Sequence, residues 1–195
     1  MEYRLREDFG EKKGVISNTH GFVSMYLDGG FKEKWNGYWS PSYKYLDYFA
    51  VKVNGIWLNE ETLQEASYGE KTVFYHRASS LKIRQEVSCP DEIPGFKVKW
   101  EVENVSDSEK AVKASIETGV DIRPRTKDIG GKNYTVEDSN AGMKIIKDDR
   151  DRYLTVTGEK FEFEEASYTK EHYPGEQQIC IIPGDIFCRC ELEPG

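Results

Sequence analysis

Residues 35–58 read WNGYWSPSYKYLDYFAVKVNGIWL. Eight of these residues are Trp, Tyr or Phe, and the run Ala50, Val51, Val53 follows the first seven. The stretch closes on Asn54-Gly55 between alternating apolar residues, which is the strongest short-range hairpin signal. Aromatic and β-branched residues suit a pleated, half-buried surface. The stretch is therefore expected to form the centre of a β-sheet core. Gly37 and Pro41 interrupt its first part, so residues 31–41 read as an aromatic loop. Residues 43–53 read as one long strand. Strict alternation there places Tyr43, Tyr45, Asp47, Phe49, Val51 and Val53 on one face.

The same alternation extends outward in both directions. Residues 21–27 form a strand candidate stopped by Asp28-Gly29-Gly30. Residues 1–14 are charged and read as an edge strand or an arm. Residues 59–68 are polar, with Leu63 the only large aliphatic residue, and suggest a short helical turn. Residues 72–77 and 81–89 follow as strands, with Leu81, Ile83, Gln85 and Val87 opposing Lys82, Arg84 and Glu86. The clearest strand covers residues 96–103. There Phe96, Val98, Trp100 and Val102 face one way, and Lys97, Lys99, Glu101 and Glu103 the other. Residues 111–123 continue the pattern, with Gly119 marking a bulge or bend. Shorter strands are expected at 134–137, 143–147, 152–157 and 161–163, divided by turn-forming runs. Residues 178–182 and 186–192 read as a final hairpin. About a dozen short strands with almost no helix predict an all-β protein. The expected architecture is a large antiparallel two-sheet β-sandwich, supersandwich-like, filling residues 1–195 as a single domain.

Composition narrows the function classes. The formal net charge is −8, which argues against nucleic acid and against anionic membranes as partners. The first residues, MEYRLREDFGEKKG, lack the apolar core of a signal peptide. No run approaches the length of a membrane span. A soluble cytoplasmic protein is the expectation.

No complete catalytic site is legible. Cys89, Cys180, Cys188 and Cys190 include no zinc-type pair spacing. They are expected to be reduced, with Cys180 opposite Cys188 if the last hairpin has a three-residue loop. His20, His76 and His172 lie far apart, outside any ligand motif, so no metal site is expected. Nucleophile elbow, phosphate loop and dinucleotide fingerprint are all missing, so no cofactor is expected. Acidic residues are abundant, and a carboxylate pair for glycoside hydrolysis is not excluded by counting. Asp47 stands out because alternation puts it among aromatic residues. Trp35, Tyr38, Trp39 and Tyr43 form the best candidate contact cluster. Such rings stack on the flat C–H faces of sugars, and they equally fill cores and interfaces. Trp35 or Trp39 is expected at an interface or a binding rim, with at least one ring open to solvent.

Three runs carry a family resemblance: Gly37-Tyr38-Trp39-Ser40-Pro41, Tyr45-Leu46-Asp47-Tyr48-Phe49-Ala50 and Val53-Asn54-Gly55-Ile56-Trp57-Leu58. Together they resemble the N-terminal region of archaeal glycogen-debranching-type enzymes, the amylo-α-1,6-glucosidases and related glucoamylase-like hydrolases. The strands at 96–104 and 111–122 are similar to the sandwich strands of such domains. The resemblance implies a β-sandwich packed against an (α/α)6 catalytic domain, in the same or another chain. In that family the catalytic carboxylates belong to the helical domain, so no catalytic residue is carried over. The implied function is a non-catalytic domain of an α-glucan-processing glycoside hydrolase, docking on the helical domain and shaping its cleft. The alternatives are a free-standing carbohydrate-binding module, with α-glucan as ligand, and a small sandwich enzyme acting on sugars.

Overall fold

The Asn54–Gly55 turn forms as its residues predict. In the computed structural model, which describes residues 2–127, 134–139, 143–148, 150, 152–158, 162–163 and 186–195, Asn54 has φ 50° and Gly55 φ 80°. Positive φ at both central positions is the type I′ geometry that matches strand twist. The Asn54 amide locks the turn to a third strand. Its Nδ2 donates to the Ala111 carbonyl at 3.1 Å, and its Oδ1 accepts from the Lys113 amide at 2.8 Å.

Around this turn the described residues form sixteen strands and one 3₁₀ turn, Phe9–Glu11. The first nine strands are β1 (Tyr3–Leu5), β2 (Lys13–Ser17), β3 (Phe22–Tyr26), β4 (Gly37–Ser40), β5 (Tyr43–Val53), β6 (Ile56–Trp57), β7 (Leu63–Tyr68), β8 (Thr72–Ala78) and β9 (Leu81–Ser88). The others are β10 (Lys97–Asn104), β11 (Lys110–Pro124), β12 (Tyr134–Ser139), β13 (Met143–Asp148), β14 (Tyr153–Thr157), β15 (Glu162–Phe163) and β16 (Ile186–Leu192). Two large antiparallel sheets result. The smaller runs β1-β7-β8-β9-β10; the larger runs β15-β16-β11-β5-β4-β3-β2, with β6 beside β5. A third sheet, β12-β13-β14, is three-stranded. The protein is an all-β sandwich.

One continuous core joins the layers. Phe49 of β5 stacks on Phe96 at 5.4 Å, and Phe96 also meets Tyr38 of β4 at 5.6 Å. Phe74, Ile83 and Val87 fill the side of the smaller sheet, and Val53, Val120 and Ile122 that of the larger. The third sheet adds the fully buried Ile146 to the same core. Its Tyr134 hydroxyl accepts the Ile122 amide of β11 at 2.9 Å.

Three expectations are corrected. Residues 37–40 are not loop: they form β4, paired with both β3 and β5. Gly37 permits this at φ 113°, where a Cβ would come within 2.1 Å of the Leu46 carbonyl oxygen. Residues 63–68 are strand β7, not a helical turn, because β1 and β8 flank them and supply ladder partners. The single face drawn through Tyr43–Val53 is broken. Gly119 pairs with Tyr48 and Val120 with Leu46, so Asp47 has no partner of its own. That extra residue is a β-bulge, and it inverts the alternation on either side. The bulge lies beside Gly119, where a bulge or bend was expected. The proposed pairing of Cys180 with Cys188, and His172, lie outside the described residues. Cys89, Cys188 and Cys190 are free thiols. Among the described residues no helix is long and apolar enough to cross a membrane.

Candidate functional site

Tyr38 and Trp39 are neighbours on a strand, so their side chains point to opposite faces. Tyr38 points between the sheets, onto Phe96. Trp39 points outward, into a row set by its ladder partners Phe22 and Lys44. There three rings stack. Trp39 lies 6.3 Å from Phe22 and 5.8 Å from Trp35, centre to centre. The Trp39 indole Nε1 also donates to the Trp35 carbonyl at 3.0 Å. Trp39 is buried, while Trp35 is 47% exposed and Phe22 37%. A fixed inner ring therefore carries two partly open outer rings.

Beneath the rings is a set of buried charges. The Lys44 ammonium is 5.7 Å from the Trp39 ring centre and the Arg123 guanidinium 5.2 Å. Lys44 is 0% exposed and Arg123 1%. Buried charges are tolerated only when paired and hydrogen-bonded. Both conditions are met. Lys44 Nζ donates to Asp47 Oδ1, and Arg123 Nε donates to Asp121 Oδ2 at 2.6 Å. Lys44 Nζ and Arg123 Nη2 each donate to the Lys34 carbonyl at 2.9 Å. Arg123 Nη1 donates to the Lys127 carbonyl. The two cations thus hold the backbone that carries Trp35. Burial lowers the Lys44 pKa and raises that of Asp47, against the opposing pull of the pair itself.

The five residues singled out by sequence separate into different roles. Trp35 and Trp39 meet in one stack, and Asp47 reaches it through Lys44. Tyr38 belongs to the core. Its buried hydroxyl has no hydrogen-bond partner among the described residues, and burial pushes its pKa up to about 12. Tyr43 lies against Tyr45 at 6.5 Å and under the Arg152 guanidinium at 4.6 Å, next to the third sheet. Sequence reasoning missed Phe22, Lys44 and Asp121. Arg123-Pro124-Arg125 reads in sequence as a strand end that could clamp a carboxylate but is expected to be solvated, whereas Arg123 is buried against Asp121. The available signal was Asp121 and Arg123 alternating with Val120 and Ile122 inside a long strand.

The arrangement limits the chemistry on offer. Asp47, Asp121 and Glu117 are buried, and Glu117 Oε1 accepts the Tyr48 hydroxyl at 2.6 Å. These carboxylates brace strands and present no acid–base pair at the aromatic surface. His76 is also buried, joined to Thr62 Oγ1 through Nδ1 at 3.0 Å, and burial lowers its pKa to about 4. Among the described residues no three His, Cys, Asp or Glu side chains are grouped to hold a metal ion. What the corner offers is a rigid contact surface. No protein-family model matches the chain, and no curated protein matches it.

Proposed function

We propose that this chain is a non-catalytic β-sandwich domain serving α-glucan processing, and that it docks on a helical (α/α)6 catalytic domain through the Trp35–Phe22 corner. One observation carries the reading. Trp35 is 47% exposed, yet its ring is held by Trp39 and its backbone by Lys44 and Arg123. An exposed ring fixed in advance loses little conformational freedom on contact, which favours recognition. The burial and pairing of Asp47 and Asp121 support the non-catalytic part. The runs that carry the family resemblance fall in β4, β5 and β6, and the first of them includes Trp39 of this corner. The same exposed rings favour a second reading, a carbohydrate-binding module that stacks α-glucan on Trp35.

The test mixes the chain with an (α/α)6 catalytic domain of this hydrolase type and follows complex formation by size-exclusion chromatography. Co-elution that weakens in Trp35→Ala supports docking. Maltooligosaccharide binding lost in Trp35→Ala, with no complex, supports the second reading. Glucan hydrolysis by the chain alone, abolished by replacing one of its carboxylates, overturns both.

A further inference from the structure

The smaller sheet carries a second surface, away from the aromatic corner. Its outward side chains come from β8, β9 and β10 and border a groove of about 510 Å³. The ladder dictates their order. Tyr75 is opposite Arg84, and Arg84 opposite Glu101; Arg77 is opposite Lys82, and Lys82 opposite Glu103. Two parallel rows therefore cross the groove, one headed by an aromatic ring and the other by a guanidinium. Tyr75 is 38% exposed. In the first row Arg84 faces Glu101, and in the second Lys82 faces Glu103 and leaves Arg77 over. Arg84 holds Glu86 at 2.6 Å and Glu101 at 3.4 Å, and Lys82 reaches Glu103 at 3.3 Å. Among the described residues Arg77 has no ion-pair partner.

We infer that this groove binds a neutral oligosaccharide, with Tyr75 as the stacking ring and Arg77, Arg84 and Glu101 hydrogen-bonding its hydroxyls. The inference follows from what the groove would refuse. An anionic ligand meets Glu101 and Glu103 and finds, among the described residues of the groove, only Arg77 without a carboxylate partner, and an apolar segment meets a row of charges it would have to desolvate. A sugar chain has the opposite needs. Its hydroxyls both donate and accept, and the groove supplies guanidinium donors beside carboxylate acceptors. Its ring faces are apolar and flat, and Tyr75 supplies a matching surface. Arg84 is held by Glu86 at 2.6 Å and Glu101 by Lys99 at 2.6 Å, so less side-chain freedom is lost on binding. The inference does not rest on the docking reading, because the groove and the Trp35 corner belong to different sheets.

Titration of the 195-residue chain with maltoheptaose and with cellohexaose, followed by calorimetry, tests it. Saturable binding of at least one is expected. Tyr75→Ala should weaken it about tenfold, the order of a lost stacking contact. Arg77→Gln should weaken it too, at unchanged circular dichroism, and it decides the matter if Tyr75→Ala fails to fold. Tyr153→Ala, at an exposed ring of the third sheet, should leave it unchanged. Absence of saturable binding, binding unaffected by both groove variants, or binding lost only in Trp35→Ala overturns the inference. So does displacement of the sugar by dextran sulfate at constant ionic strength, which would make this an anion site.

Discussion

Trp39 and Trp35 stack at 5.8 Å, yet one is buried and the other is 47% exposed. The difference divides their roles. Trp39 contacts Phe22, Lys44 and Arg123 and belongs to the framework, whereas Trp35 is the surface that framework displays.

Trp39→Ala should therefore destabilise the fold by about 3–5 kcal/mol, the cost of removing a buried large aromatic. Trp35→Ala should cost about 1 kcal/mol or less, as for exposed positions. Urea unfolding of both variants measures the contrast. Equal losses would contradict the division.

The Lys44–Asp47 pair predicts a non-additive double mutant. Lys44→Met leaves Asp47 buried beside a vacated charge, and Asp47→Leu strands Lys44 in the same way. Each single change should cost about 3–5 kcal/mol. The double mutant should recover most of that, because a buried pair replaced by apolar groups is often near neutral. The coupling energy from a double-mutant cycle in urea is the measurement.

Much of the frame was legible because period-two patterning is local. Residues 81–89 and 96–104 showed it clearly, and they pair as β9 and β10. The Asn54-Gly55 turn was legible because only that backbone geometry favours those residues. The bulge at Asp47 was not, since it depends on how β5 registers against β11, and no local property of Asp47 encodes a partner's register. β7 was missed for a related reason. Its residues are polar, and the two neighbouring strands impose the extended form. The site was half legible: the aromatic residues were prominent, but the charges beneath them become a site only when β4, β5 and β11 bring them together.

Tyr38→Phe should stabilise the protein. The Tyr38 hydroxyl is buried and has no hydrogen-bond partner among the described residues. Removing it relieves an uncompensated desolvation while keeping the ring against Phe96. The gain expected is about 1 kcal/mol, read as a higher urea midpoint at unchanged slope. A loss of stability would mean that the hydroxyl is satisfied in solution.

His76 predicts how stability depends on pH. Its ring is buried against Phe74 at 6.2 Å and bonded to Thr62, and burial lowers its pKa from 6.5 to about 4. The unfolded chain keeps the ordinary value, so below it the unfolded state binds a proton that the folded state refuses. Stability is therefore full above about pH 6.5 and falls as pH drops toward 4. With these two values the loss from His76 alone is about 2 kcal/mol by pH 5. Carboxylates titrate over part of the same range, so the His76 share must be isolated by difference. His76→Phe removes the titrating group and keeps an aromatic ring in the pocket. Between pH 8 and 5 the unfolding free energy of the original protein should drop by about 2 kcal/mol more than that of His76→Phe, whatever the variant's stability at pH 8. Parallel pH profiles for the two proteins would show that His76 is protonated equally in both states, and that its burial is not maintained in solution.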